Sequence, residues 1–147
     1  MHDQVMRDRV MRIGLVVLGF PALVIGVWAA FFPRSFYDDF PGLGRMWVAP
    51  DGPYNEHLVR DVGELNLALV VVTAVAAVSL GTLLVRAVLA GWLVYSVPHL
   101  VYHLRNMEPF ATDDQVSIGA SLALVPVLAV VLLVIDVRSP RAAAVTR

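Results

Sequence analysis

Residues 52–67, GPYNEHLVRDVGELNL, decide the fold because they place five acidic, basic or histidine side chains at the start of a hydrophobic helix. Residues 65–80 (LNLALVVVTAVAAVSL) continue that helix without a charge. A helix needs about 20 residues to cross a bilayer, so these 16 are too few. The helix therefore has to begin in the fifties. This places ionisable groups at membrane depth, where they are costly and by default functional.

The composition places the whole chain in a membrane. Its 147 residues are 59% hydrophobic, with a mean hydropathy of +0.74. The 11 basic and 12 acidic residues nearly balance, so no basic surface predicts nucleic-acid binding. Cysteine is absent, which excludes disulfides, thiolate metal sites and thiol catalysis. We expect one integral membrane domain, residues 1–147, whose main partner is the lipid bilayer.

Four apolar stretches have the length of membrane spans, at about residues 13–32, 55–80, 84–104 and 116–135. They predict an all-α fold, a four-transmembrane-helix bundle in up-down-up-down order. Residues 33–51 are rich in proline, glycine and aromatic side chains, and predict a structured interfacial loop between the first and second helices. Within that loop, Arg45 and Trp47 either anchor the chain at the membrane surface or belong to a lid over a site. Anchoring is the simpler interpretation.

The arginines are distributed unevenly between the two sides of the predicted bundle. Seven flank the termini and the middle turn, Arg141 and Arg147 among them, whereas four flank the other two loops. The positive-inside rule therefore predicts a multi-pass protein of the inner (plasma) membrane with cytoplasmic N- and C-termini. The aromatic loop and the outer halves of the second and third spans then face the extracytoplasmic side.

Polar side chains recur at helical spacing in the outer halves of the second and third spans. Because a short turn near Gly81 joins these spans, residues equidistant from it lie at similar depth. The side chains on each span are three or four residues apart and so share one face. We therefore predict a polar pocket between the second and third helices in the outer leaflet. Its ligand-binding candidates are His57, Arg60, Asp61, Glu64, Tyr95, His99 and His103.

Several chemistries suit the predicted pocket. The candidate metal ligands are His57, Glu64, His99 and His103, because histidines with a carboxylate bind zinc or non-haem iron. Histidines on facing helices can instead ligate a haem. Without a cofactor, Glu64 and His99 are candidate catalytic residues that exchange protons with a quinone or a lipid-like hydrophobic molecule. The residues do not decide whether the protein is an enzyme.

The alternative is a non-catalytic accessory or assembly subunit of a larger membrane complex. In that case the polar cluster only braces the helices. Small residues spaced four apart, at Ala87 and Gly91 or at Gly119 and Ala123, then form the contacts with a partner or with a second copy in a homo-oligomer.

One block of sequence carries a resemblance to a known family. Residues 41–69, PGLGRMWVAPDGPYNEHLVRDVGELNLAL, resemble small DoxX-like integral membrane proteins of actinobacteria, most of which are uncharacterised. The likeness covers nearly the whole chain in architecture but only this block in residues. It implies a four-helix membrane fold and contact with quinone or redox chemistry. It carries no catalytic motif onto this chain.

Overall fold

A computed structural model describes residues 2–138, which are mostly α-helical. The helices are α1 (His2–Phe31), α2 (Pro33–Asp39), α3 (Glu56–Ser79), α4 (Thr82–Arg105) and α5 (Thr112–Arg138). Between α2 and α3 lie two antiparallel strands, β1 (Pro41–Gly42) and β2 (Arg45–Met46), and a 3-10 helix, Ala49–Asp51. Helices α1, α3, α4 and α5 are long and apolar enough to cross a membrane. The predicted all-α class with four spans is confirmed, and the chain is a multi-pass membrane protein. Arg141 and Arg147 of the charge count lie outside the described residues.

Local sequence explains where the helices end. Pro33 follows the last residues of α1 and opens α2, because proline disfavours helical geometry at the preceding residue. Asn55 caps α3, its side-chain oxygen accepting a hydrogen bond from the Leu58 amide at 3.2 Å. At the turn between α3 and α4, Leu80 takes the left-handed conformation with φ of 52° and buries its side chain. The neighbouring Gly81 has an ordinary negative φ.

The four long helices form two closely packed pairs, α1 with α3 and α4 with α5. In the first pair the backbones approach closely. A Cβ at Gly63 would lie 2.8 Å from the Ala30 Cα atom, and one at Gly26 would lie 3.1 Å from the Gly63 carbonyl oxygen. Helices α3 and α4 touch far less, although a tight turn joins them. The sequence predicted a polar pocket between these two helices. In the structure, neighbours in sequence are not the most extensive neighbours in space.

The main hydrophobic core lies at one end of the bundle. It joins residues of all four long helices, among them Leu15 of α1, Ala76 of α3, Trp92 of α4 and Leu132 of α5. The Trp92 indole also donates a hydrogen bond to the Thr73 hydroxyl at 3.0 Å and so links α3 to α4. A smaller cluster of α1, α2 and α3 residues lies at the loop end. The part of α4 beyond Trp92 extends past the main core.

A buried ion cluster ties three helices together at the end that carries the main core. The Asp136 carboxylate is fully buried and accepts hydrogen bonds from Arg7 at 2.7 Å and from Arg86 at 2.8 Å. These residues come from the end of α5, the start of α1 and the start of α4. The first and last described helices therefore meet on one side of the bundle.

Candidate functional site

The third span presents a continuous row of rings. Tyr95 stacks on His99, with ring centroids 5.4 Å apart and planes inclined by 17°. His99 meets His103 edge-on at 4.7 Å, and Trp92 meets Tyr95 edge-on at 6.4 Å. Spacings of three and four residues place these rings along one side of α4. The structure thus brings together Tyr95, His99 and His103 from the predicted pocket.

Sequence reasoning missed Ser96, which lies in the same stretch of α4. Its residue is only 3% exposed, and its hydroxyl oxygen has no hydrogen-bond partner within residues 2–138. The Nδ1 atom of His103, seven residues further on, is likewise buried without a hydrogen-bond partner in that range. Buried polar atoms nearly always have a hydrogen-bond partner. We therefore expect each of these two atoms to bond a group outside the described chain. The spacing of three and seven residues to His99 and His103 was the available signal for Ser96.

Asp51 closes this row at the loop end. Its carboxylate lies 3.8 Å from the His103 Nδ1 atom, within ion-pair range but too far for a hydrogen bond. Burial raises the pKa of the Asp51 carboxyl, and the neighbouring His103 opposes that change. The structure gives the capping position of α3 to Asn55 and places Asp51 beside His103.

The raised pKa makes stability depend on pH. A carboxyl whose pKa is higher in the folded state favours folding at low pH, and this contribution is lost as pH rises through the folded pKa. We therefore expect the unchanged protein to lose stability as the pH rises from about 4 towards neutrality. The Asp51→Asn variant should not show this loss. Thermal unfolding in detergent at a series of pH values measures it. Asp113→Asn, at a largely exposed carboxyl, is the control and should show the same pH dependence of stability as the unchanged protein. If Asp51→Asn also shows that dependence, Asp51 is not its source.

The loop between α2 and α3 is fastened to the start of α5. The Asp114 carboxylate accepts hydrogen bonds from the Arg45 guanidinium at 2.8 Å and from the Trp47 indole at 2.7 Å. Asp113 forms a second, weaker pair with Arg45 at 3.3 Å. Both loop residues that sequence reasoning weighed as anchors or lid residues thus bind another helix of the same chain.

The α3 candidates are paired with their own neighbours. His57 lies 3.4 Å from Asp61, and its side chain is 83% exposed. Arg60 bonds Glu56 at 2.9 Å and also donates to the Ala30 carbonyl. That carbonyl belongs to the last turn of α1, where carbonyls lack helical partners, so Arg60 caps α1. Glu56 and Arg60 are four residues apart, the spacing at which an acidic and a basic side chain pair on one helix.

Glu64 stands apart from the other candidates. Its residue is exposed, and it makes no hydrogen bond or ion pair to any other residue of the range 2–138. In that range no hydrogen bond, ion pair or ring contact joins His57, Arg60, Asp61 or Glu64 to Tyr95, His99 or His103. In the described chain, ring contacts therefore link the α4 candidates to one another, and no such contact links them to the α3 candidates.

The positions of the histidine and carboxylate side chains bear on the metal and haem hypotheses. Among the side chains of residues 3–138, no three histidines or carboxylates are grouped so as to hold a metal ion, and the candidates His57, Glu64, His99 and His103 form no such set. Axial haem ligands approach the iron from opposite faces. The haem hypothesis takes its ligands from the facing helices α3 and α4; His57 lies on α3 with a side chain that is 83% exposed, and His99 and His103 lie together on α4 with their rings 4.7 Å apart.

The row on α4 therefore places groups that can donate or accept hydrogen bonds beside aromatic rings.

Comparisons of the chain with protein-family models, with curated proteins and with solved structures found no match.

Proposed function

We propose that this membrane protein binds a hydrophobic small molecule with carbonyl or hydroxyl oxygens, of the quinone or lipid-like class, against the polar side of α4. The proposed site consists of Ser96, His99 and His103, with Tyr95 stacked at one end and Asp51 at the other. It keeps the α4 half of the constellation expected from the sequence, and it adds Ser96 and Asp51.

The observation that carries this proposal is that two buried polar atoms, Ser96 Oγ and His103 Nδ1, have no hydrogen-bond partner in the described part of the chain. A hydroxyl both donates and accepts, and an imidazole nitrogen does either according to its tautomer. An oxygen of a bound ligand can satisfy such groups, while the stacked rings provide apolar contact. Small-molecule sites commonly combine an apolar lining with a few polar groups. The resemblance to DoxX-like proteins agrees with the quinone class.

Binding of decylubiquinone to the purified protein in detergent tests the proposal. Trp92 lies beside Tyr95. A quinone bound at this site should therefore quench the fluorescence of Trp92, and the quenching should saturate as the quinone concentration rises. Ser96→Ala and His103→Phe should each raise the Kd roughly five- to tenfold, because one hydrogen bond is worth about 1 kcal/mol. Extraction with organic solvent and mass spectrometry then determine whether the molecule bound in cells is a quinone or a lipid. Metal analysis and an absorbance spectrum of the same sample test the two cofactor alternatives.

Two matched variants control for general effects. Ser121→Ala removes a serine whose hydroxyl bonds its own helix, at the Ile118 carbonyl. His57→Phe removes an exposed histidine of α3. Both should bind decylubiquinone as the unchanged protein does. Equal quenching in all four variants, or quenching that does not saturate, contradicts the proposed site.

The location in the cell follows from the arginine count. We propose that the protein lies in the inner (plasma) membrane with both termini in the cytoplasm. The contacts of Arg7 and Arg86 with Asp136 support a common side for the two ends. The proposed ligand site then belongs to the outer leaflet.

A second candidate is the accessory subunit of a larger complex. It is favoured by the open surface at Gly91, where a Cβ would meet nothing within 4 Å. At Gly119 the same atom would lie 3.8 Å from Leu104 and Met107, so that surface already packs within the chain. Under this candidate the Ser96 and His103 variants change assembly with a larger protein and not quinone binding.

A further inference from the structure

A membrane span of ordinary length within α3 has to include Glu64. Helix α3 has 24 residues, and every stretch of 18 residues within it includes Glu64. A carboxylate at that depth is costly and is normally paired. Yet Glu64 is exposed and has no hydrogen bond or ion pair to the rest of residues 2–138. Its nearest basic neighbour along the helix, Arg60, is already bonded to Glu56 and Ala30.

Tyr95 is the complementary case on α4. Its residue is 40% exposed, and its hydroxyl has no hydrogen bond to any other residue of the described chain. Stacking on His99 fixes the orientation of its ring. A tyrosine hydroxyl is a donor as well as an acceptor, whereas a carboxylate only accepts. One helix thus exposes an acceptor at membrane depth and another exposes a donor.

The two groups lie at the same level. Glu64 is 16 residues before Leu80, and Tyr95 is 14 residues after Gly81. At about 1.5 Å of rise per residue, the two differ in depth by only about 3 Å. Copies of a membrane protein share one orientation, so Glu64 of one copy is level with Tyr95 of another.

We infer that the protein self-associates through α3 of one copy and α4 of the next, with Glu64 accepting a hydrogen bond from Tyr95 of the second copy. This contact is heterologous, because different surfaces of the two copies meet. A symmetric α3–α3 contact would place two Glu64 carboxylates at one depth, where like charges repel. Tyr95 also lies at one end of the proposed ligand site, but the inference uses only its exposed hydroxyl and does not require a bound ligand.

The surrounding surfaces permit close approach of the two helices. On α4, Ala87, Ala90 and Gly91 are exposed, and the surface at Gly91 is open. Small residues on a membrane helix let a second backbone come near. On α3, the exposed residues after Glu64 include Val71 and Val75, which present modest apolar side chains.

Disulfide cross-linking provides the direct test, because the native chain contains no cysteine. Differently tagged chains with Glu64→Cys and with Tyr95→Cys are expressed in one membrane and oxidised. We expect disulfide dimers that carry both tags, at a yield well above that of Val24→Cys with Val127→Cys, which are exposed positions of α1 and α5. A yield no higher than this control overturns the inference. So does an intrachain disulfide in place of dimers when one chain carries both substitutions.

The energetics give a second readout. Interhelical hydrogen bonds in membranes contribute about 0.6 kcal/mol and up to about 1.7, so Tyr95→Phe and Glu64→Leu should each raise the dissociation constant of the detergent-solubilised oligomer roughly three- to fifteenfold. The double variant should lose no more than either single variant, because both remove one bond. Analytical ultracentrifugation measures the association. A monomeric unchanged protein, unaltered association in the single variants, or losses that add in the double variant overturn the inference.

Discussion

Replacing Asp136 with alanine is expected to lower the free energy of unfolding by about 3–5 kcal/mol, the usual cost of removing one partner from a buried ion pair. The change leaves Arg7 and Arg86 without their shared carboxylate. Arg7 has a side chain only 9% exposed, and its Nε atom is already buried without a hydrogen-bond partner in the described chain. Because the cluster joins α1, α4 and α5, the loss should affect the whole bundle. Reversible unfolding in mixed micelles measures it.

Asp113→Ala is the matched control. Its carboxylate is 71% exposed and pairs with Arg45 at 3.3 Å. An exposed pair of this kind contributes about 0–1 kcal/mol, so the control should unfold almost as the unchanged protein does. If Asp136→Ala and Asp113→Ala lower the free energy of unfolding by similar amounts, the buried Asp136 cluster contributes no more to stability than an exposed ion pair.

Gly63→Ala should destabilise the α1–α3 pair by about 3 kcal/mol, at the upper end of the range for overpacking. The added methyl group would overlap the Ala30 backbone nitrogen and lie 2.8 Å from the Ala30 Cα atom. Backbone atoms cannot move aside as a flexible side chain can, so the helices must separate. The separation should also disturb the bond from Arg60 to the Ala30 carbonyl. The same unfolding measurement applies.

Gly91→Ala makes the same chemical change on another span, where nothing lies within 4 Å of the new atom. It should be neutral or stabilise the helix by up to about 1 kcal/mol, since alanine is the better helix former. If Gly63→Ala and Gly91→Ala behave alike, close backbone contact does not hold α1 and α3 together.

The helices were predictable because each span is a local property of the sequence. A long apolar run between polar ends has one stable arrangement in lipid, whatever its neighbours are. The turn at residues 79–82 was predictable in position but not in conformation. Gly81 is the residue expected to be left-handed, yet Leu80 takes that conformation because its side chain reaches the buried core.

The contacts between helices were not predictable in the same way. In a membrane, side chains facing lipid and side chains facing other helices are both apolar, so periodicity does not show which face packs where. The small-residue signal was ambiguous too. Gly26 and Ala30 have the same spacing as Ala87 and Gly91, but only the first pair lies at a close crossing.

The polar residues show the same limit. Asp136 is the first charge after an apolar run, and nothing local indicates its two arginine partners, which lie 129 and 50 residues away in sequence. The row Tyr95, His99 and His103 was found because its spacing is local to one helix. Whether that row contacts Glu64 depends on how α3 and α4 pack, which the short turn does not determine.

The pairing of α1 with α3, and of α4 with α5, has a consequence for biosynthesis. A chain that leaves the ribosome from its N-terminus can complete the first pair while the second is still being translated. We therefore expect two helical hairpins to insert in succession and then to dock through the Trp92–Thr73 bond and the Asp136 cluster.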